Sequence, residues 1–326
     1  MIFVKHSNLN PYKNHAIEEF IMNKFNEDCF MLWKNERCIL IGRNQNAYSE
    51  INMDYVKEHD IPIVRRITGG GAVFNDEGNF NFTFISCNTG EDFTNFKKFT
   101  IPIILALKKI GIQVEFSGRN DLTIGDKKFS GNAQCKYKDK VLHHGTLLFS
   151  SNFSDMESAL RVNDIKLSSK GIKSVKSRVV NISDFLKSPM NIEEFRKYLF
   201  NEVLTNTENA KIYHITEEDL LEINLISEKK YATWQWNFGN NPHFNIEREK
   251  RFAGGIVQAF IEVSKGKIKD IRFYGDFFSE KDATLVEDTL KGLNYDYKVL
   301  YEALKDFNMD EYFKNITFEN IMDLLI

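Results

Sequence analysis

Apolar and polar positions along this chain fall into short runs whose period changes from one segment to the next. From Asn79 to Phe84 they alternate, with Phe80, Phe82 and Phe84 on one side and Asn79, Asn81 and Thr83 on the other. That is the period of a strand. Ile17, Phe20, Ile21 and Phe25 form one stripe of an amphipathic helix over Tyr12 to Phe25. Phe96, Phe99, Ile103, Leu107 and Ile110 repeat the helical spacing up to Gly111; Pro102 inside it predicts a kink there or a helix that starts near it. Met1 to Val4, Cys29 to Trp33, Cys38 to Ile41, Ile61 to Val64 and Ile112 to Phe116 read as short strands, and Asn52 as the cap of a helix from Met53 to Glu58. Further on, Ser154 is expected to cap a helix through Leu160, Asn191 one to Val203 and Thr216 one to Ile226, with a short strand over Ser177 to Ile182. Trp234, Trp236 and Phe238 alternate with Gln235 and Asn237, and the polar, glycine- and proline-bearing run to His243 looks like a linker. Beyond it, Phe252 to Val263 and Lys267 to Phe273 form a hairpin turning at Lys265-Gly266, followed by helices over 280–290, 298–304 and 316–324. The expected class is therefore α+β, with a large unit over 1–245 and a small α+β unit over 246–326.

The stretch Arg65-Arg66-Ile67-Thr68-Gly69-Gly70-Gly71 stands between two of these strands. Three residues without Cβ let the backbone take positive φ and approach a ligand closely. Successive N–H groups in such a turn can converge on an anion, and arginine adds a fork of donors suited to phosphate or carboxylate. Neither the Walker pattern nor the dinucleotide fingerprint is present. On spacing alone, a tight turn with arginines in solvent fits as well as an anion cradle.

A double hairpin is the second informative segment. Asn120 to Ile124 turns at Gly125-Asp126 into Lys127 to Tyr137, which turns at Lys138-Asp139 into Lys140 to Phe149. Counting from two-residue turns pairs Asp121 with Ser130, Gln134 with His143 and Asn132 with Gly145. Asp121, Lys128, Ser130, Asn132, Gln134 and His143 then share one polar face and His144 points to the other. A β-bulge would shift the count, and Gly131 is a plausible place for one.

Bulk properties narrow the classes. The net charge of −3 over 326 residues argues against a non-specific nucleic-acid surface, and no apolar run approaches the length of a membrane span. Nothing at the N-terminus looks like a signal peptide. Cys29, Cys38, Cys87 and Cys135 form no Cys-x-x-Cys pair, so they read as reduced thiols of a cytoplasmic protein, with no metal site assigned.

Taken together, the chain resembles the lipoate–protein ligases in their two-domain, ATP-using form. The resemblance rests on Arg65 to Phe74 with Asp76, Gly78 and Asn79, on Lys128-Phe129-Ser130-Gly131-Asn132-Ala133-Gln134, and on His143-His144-Gly145-Thr146-Leu147-Leu148, in the family's order and spacing. It covers essentially the whole chain. Asn75 stands where the family usually has His and Thr68 where it usually has Ser, which puts acid–base work at position 75 in doubt.

The resemblance implies a biotin/lipoate ligase-like catalytic domain with a mixed sheet. It implies that lipoate attacks the α-phosphate of ATP, with Mg²⁺ present, to give lipoyl-AMP and pyrophosphate. A lysine of a lipoyl domain of a 2-oxoacid dehydrogenase E2 subunit, or of glycine-cleavage H protein, then attacks that anhydride. Lys128 would stabilise the charge that builds in both steps and Asp121 would orient it. Arg66, Gly69, Gly70, Gly71, Ala72, Val73 and Phe74 would hold the nucleotide and lipoyl-AMP, with Asn75, Ser130, Asn132, Gln134 and His143 as supporting polar groups. Two alternatives stay open: an ATP-independent octanoyl or lipoyl transferase working through a cysteine thioester, and a lipoate binder without activity. No cysteine lies in Gly118 to Leu122, just upstream of the lysine motif, where the transferases carry theirs.

Overall fold

The computed structural model describes residues 1–87, 93–161, 178–238 and 246–326. Along the first 245 residues the elements are β1 (Ile2–Lys5), α1 (Pro11–Lys24), β2 (Cys29–Trp33), β3 (Cys38–Ile41), α2 (Ala47–Glu50), α3 (Met53–Glu58), β4 (Ile63–Arg65), β5 (Val73–Asn75), β6 (Asn79–Ser86), α4 (Phe96–Lys109), β7 (Glu115–Ser117), β8 (Asp121–Ile124), β9 (Lys127–Tyr137), β10 (Lys140–Leu148), α5 (Phe153–Ala159), α6 (Ile192–Thr205), β11 (Lys211–His214), α7 (Glu217–Ile226) and α8 (Trp234–Phe238). They are followed by β12 (Ile246–Phe252), β13 (Gly255–Ser264), β14 (Lys267–Gly275), α9 (Thr284–Leu290), α10 (Tyr297–Leu304), α11 (Met309–Tyr312) and α12 (Phe318–Leu325).

The main sheet has the order β11-β1-β2-β6-β10-β9-β8-β7. It is mixed, because β11, β1 and β2 run parallel while β2, β6, β10, β9, β8 and β7 pair antiparallel. The strand period sorts its side chains into two layers. Phe3, Phe30, Phe80, Phe82 and Phe84 pack on α4 and α6, while Ile2, Val4, Cys29, Met31 and Trp33 pack on α1 and α7. A second small sheet, β4-β3-β5, brackets the glycine stretch between its outer strands. The C-terminal hairpins form the sheet β12-β13-β14 with their own apolar core against α9 to α12. The class is α+β, as expected.

Some expectations need correction. The cap before α5 is Asn152, which accepts from Ser154 N–H, not Ser154 itself. Pro102 neither starts nor ends α4, which runs through it from an Asn95 cap. The alternating Trp234–Phe238 segment is a turn of helix, whose Asn237 and Trp236 side chains bond to the backbone of Arg65 at the end of β4. Of the strand expected over 177–182, the described part is a single bridge from Val179 to Lys128 followed by a 3₁₀ turn. The expected linker residues 239–243 lie outside the described residues.

Candidate active site

Arg65 and Arg66 are both buried, at 7% and 4% exposure, so the reading with arginines in solvent is overturned. Arg65 spends its guanidinium on the carbonyls of Gly42, Arg43, Gln45, Trp236 and Asn237. Arg66 donates to the carbonyls of Leu40, Gly69 and Gly71 and to Thr68 Oγ1, folding the glycine stretch around its own charge. Burial pulls both guanidinium groups down to about 10. Gly70 sits at φ +89°, a conformation that favours glycine, and a Cβ on Gly71 would meet nothing within 4 Å. A Cβ on Gly42 would stand 1.9 Å from the Gly70 oxygen, so the loop closes on a second glycine that periodicity did not mark.

The second hairpin has the counted register, with Gln134 opposite His143 and Asn132 opposite Gly145. The first does not. A bulge at Phe129 pairs Leu122 with Ser130 but Thr123 with Lys128, and Asp121 falls opposite Gly131 instead of Ser130. Phe129 and Ser130 both turn into the core, each fully buried. One extra residue therefore flips Lys128 to the face of Gly131, Ala133 and His144. The expected polar face is split. Lys128 and Asp121 lie on one side as an ion pair of 2.8 Å, with side chains 37% and 31% exposed. Ser130, Gln134 and His143 lie on the other.

On that other side His143 is sealed among Phe82, Phe96 and Phe99, and burial holds its pKa well below the usual value. Gln134 Nε2 donates to its Nδ1, and its Nε2–H donates to Asn132 Oδ1. Asn132 Nδ2 then donates to the Asn120 carbonyl and Asn120 Nδ2 to the Asn132 carbonyl, locking the start of β8 to β9 next to Asp121. Of these groups, Asn132 also borders the cavity at Lys128.

The face that carries Lys128 borders a cavity of about 100 Å³ shared with the glycine loop; its walls include Trp33, Arg66, Gly70, Gly71, Ala72, Val73, Asn132 and His144. Gly69 lies at its margin, covered by Phe277 and Phe278 of the C-terminal unit. Phe74 points away into the cluster of Ile39 and Ile41. Asn75 is buried behind the cavity, accepting from Asn35 and Asn81, with its own amide N–H₂ unpartnered.

Periodicity missed a buried chain of polar groups behind the loop. Arg66 Nε donates to Thr68 Oγ1, which lies 2.7 Å from His144 Nε2. His144 Nδ1 is 2.8 Å from Glu18 Oε1, so it donates to the carboxylate while Nε2 faces the threonine hydroxyl. Glu18 also accepts from Thr83 and lies 2.7 Å from His15 Nδ1, while Thr83 accepts from Trp33 Nε1. Burial alone would raise the Glu18 pKa, but His144 and the hydrogen bonds from His144 and His15 hold it below the carboxylate range. A full-length helix carries Glu18 and a separate strand His144, and no spacing rule connects them.

The C-terminal unit closes against this site. Arg119, two residues before Asp121, donates to the carbonyls of Gly254 and Asp276 and lies 4.8 Å over the Phe278 ring. Phe278 packs on Phe96 at 5.2 Å and against Ala133. Arg43 pairs with Asp282 and Lys136 with Glu280.

Comparison with known proteins follows the same outline. Residues 10–204 match the lipoyl protein ligase A/B catalytic domain, and residues 241–325 match the bacterial lipoate protein ligase C-terminus. The chain is 42% identical over 328 residues to lipoate–protein ligase 1 of Staphylococcus aureus and 43% over 330 residues to lipoate-protein ligase LplJ of Bacillus subtilis, covering 100% of both chains in each case. Among solved structures it is similar to Plasmodium falciparum LipL1 in complex with lipoate, at 29% identity and a TM-score of 0.76, with 99% of this chain and 97% of the other covered. It is also similar to a bi-partite lipoate protein ligase of Thermoplasma acidophilum described with its E2 lipoyl domain, at 28% and 0.64, covering 75% and 98%. A lipoate-protein ligase A bound with ATP aligns at 25% and 0.62, covering 73% and 98%.

Proposed function

The chain belongs to the lipoate–protein ligase family, and from that premise we infer that it activates lipoate with ATP and transfers the lipoyl group to a lysine of a protein acceptor. The observation that carries this reading is that Lys128 and the Arg66–Val73 loop border one cavity.

In the first step a carboxylate oxygen of lipoate bonds to the α-phosphorus of ATP and pyrophosphate leaves. In the second the acceptor amine bonds to the carbonyl carbon of lipoyl-AMP, AMP leaves and the nitrogen gives up a proton. Both steps gather negative charge on oxygens near one point. A fixed cation beside that point stabilises the charge, and we take Lys128, whose ammonium group Asp121 holds, for that role. The open space over Gly71 and the positive φ of Gly70 allow oxygens to approach the backbone. With its donors turned to loop carbonyls, Arg66 serves by fixing the loop and placing charge behind it. Asn75 has no titratable proton, so the proton released by the amine goes elsewhere.

Mg²⁺ is expected with ATP. Among the described residues no group of three His, Cys, Asp or Glu side chains could hold a metal ion, and Asp121 is engaged by Lys128. The ion would therefore take most of its ligands from the phosphates and water, and would spread the phosphate charge. We assign residues 1–245 to catalysis and 246–326 to an accessory domain. The acceptor we propose is a lipoyl domain of a 2-oxoacid dehydrogenase E2 subunit or glycine-cleavage H protein. A cytoplasmic setting fits the four free thiols, and among the described residues no helix is long and apolar enough to cross a membrane.

A thioester route finds no support. Cys135 is buried and its thiol is pushed up to about 12 by burial, far from a reactive thiolate. Pyrophosphate release from ATP on adding lipoate tests the ligase reading; a protein that lipoylates an acceptor domain without it would be a transferase, and one that does neither a binder.

A further inference from the structure

One carboxylate stands behind three walls of the cavity at Lys128. Trp33 of β2, Arg66 at the head of the glycine stretch and His144 of β10 border that cavity. Glu18, on α1, does not border it and is fully buried. Each of the three walls is nevertheless tied to Glu18. His144 Nδ1 meets Oε1 directly at 2.8 Å. Trp33 Nε1 donates to Thr83 Oγ1 at 2.8 Å, and the Thr83 hydroxyl donates to the same Oε1 at 2.7 Å. Arg66 Nε donates to Thr68 Oγ1, which lies 2.7 Å from His144 Nε2.

The direction of these bonds follows from the carboxylate. An ionised carboxylate only accepts, and Glu18 is held below the carboxylate range, so it is ionised near neutral pH. His144 therefore carries a proton on Nδ1, toward Glu18. The Thr83 hydroxyl points the same way, which turns its lone pairs to the Trp33 N–H. The other carboxylate oxygen, Oε2, meets His15 Nδ1 at 2.7 Å. His15 Nε2 has no partner among the described residues, and burial keeps the ring below its usual pKa. A neutral ring with one unpartnered nitrogen can hold its proton on either side.

We propose that Glu18 is a positioning residue for adenylate formation, fixing from behind the cavity the orientation of Trp33, His144 and Arg66. The proposal rests on the ligase reading above. Wall groups hold a productive geometry only when their own rotamers are locked by the groups behind them. Glu18 does this by accepting hydrogen bonds at Oε1, and its charge is not what the reaction uses.

That role separates two substitutions. In Glu18→Gln the amide oxygen takes the place of Oε1 and still accepts from His144 and Thr83. The amide nitrogen then donates to His15 Nδ1, once the His15 proton has moved to Nε2. In Glu18→Ala no acceptor remains. Lipoate-dependent pyrophosphate release is measured per folded molecule, with folding checked by circular dichroism. It is expected to fall by about ten- to a hundredfold in Glu18→Ala and to stay within about threefold of wild type in Glu18→Gln. His144→Ala and the double variant Glu18→Ala/His144→Ala complete a cycle. Because Glu18 acts through His144, the double variant should lose far less than the product of the single losses. The Trp33 indole N–H, followed by nuclear magnetic resonance without substrates, should shift in Glu18→Ala and keep its place in Glu18→Gln.

Turnover in Glu18→Ala within about twofold of wild type overturns the proposal, because a residue that serves only stability leaves the rate per folded molecule unchanged. Equal losses in the Gln and Ala variants overturn it as well, since the charge is then what matters, and so do losses that multiply in the double variant. Should Glu18→Ala not fold, Thr83→Val cuts the arm from Glu18 to Trp33 at constant shape, and full turnover in that variant overturns the proposal. Wild type that releases no pyrophosphate overturns the ligase reading instead. The Trp33 signal then decides this proposal, which fails if the signal is the same in Glu18→Ala as in wild type.

Discussion

The ammonium nitrogen of Lys128 lies 2.7 Å from the point where a Cβ on Gly131 would stand. The lysine crosses the backbone of its own strand at the one residue that has no side chain, and reaches Asp121 on the neighbouring strand. Gly131 is thus a site residue by what it lacks.

Gly131→Ala is expected to push the Lys128 side chain aside without harming the fold, because its neighbours are the flexible end of a lysine. Adenylate formation should fall by about ten- to a hundredfold through misplacement, with the melting temperature unchanged. Lys128→Ala should lose on the order of a hundred- to a thousandfold. Pyrophosphate release and thermal melts check both; a Gly131→Ala enzyme that melts early but turns over normally would make the glycine a folding residue.

Two glycines should separate binding from stability. A valine at Gly71 enters open space and should weaken lipoyl-AMP binding while leaving stability within about 1 kcal/mol. The Cβ of an alanine at Gly42 meets the Gly70 carbonyl oxygen at 1.9 Å, a backbone atom that cannot swing aside, and the substitution should cost about 1–3 kcal/mol. Urea unfolding alongside equilibrium binding distinguishes them, and equal loss of stability in both variants would contradict this division.

None of the thiols is expected to take part in the chemistry. Cys29 and Cys135 are pushed up to about 12 by burial, and burial raises Cys38 and Cys87 as well. Replacing all four by alanine should preserve the ATP-dependent reaction rate per folded molecule, assayed after pretreatment with iodoacetamide as a further control. Selective loss of lipoyl transfer in a folded Cys135→Ala variant would restore the thioester route.

Phe278→Ala removes the ring that covers Gly69 and Gly70 and packs on Phe96 and Arg119. The adenylate needs shelter from water while it forms, whereas transfer must admit a protein. Lipoyl-AMP formation is therefore expected to fall more than transfer from supplied lipoyl-AMP. Equal loss in the two half-reactions would reduce the contact to structural support.

Acid should destabilise the fold in two stages. His6, His15 and His143 are each lowered, chiefly by burial, below the ordinary value of 6.5. The unfolded chain then binds more protons, so their contribution is complete above pH 6.5 and is lost as pH falls toward the folded values. Glu18 acts lower down: its folded pKa lies below 4.5, so its contribution is present above that pH and declines beneath it. Calorimetric melts stepped downward in pH should show a falling midpoint, and Glu18→Gln should flatten the lower stage. A midpoint that rises on acidification is incompatible with neutral buried histidines.

Local chemistry made much of this molecule legible in the sequence. Alternation placed Phe80, Phe82 and Phe84 in the core, and Asn191 and Thr216 cap their helices as read, because caps and periods depend on neighbours within a few residues. The Gly-Gly-Gly stretch marked a turn between strands, where Gly70 takes a positive φ, and the second hairpin could be counted because its turn holds two residues. The tertiary structure alone decided which face carries Lys128 and Asp121. A bulge at Phe129 satisfies the core with two adjacent inward residues and so turns Lys128 toward Gly131, a choice made by packing under α4 and invisible to a two-residue period. It alone joined Glu18, His144 and Thr68, which come from a helix, a strand and a loop and meet only because a buried carboxylate must find its donors wherever the fold brings them.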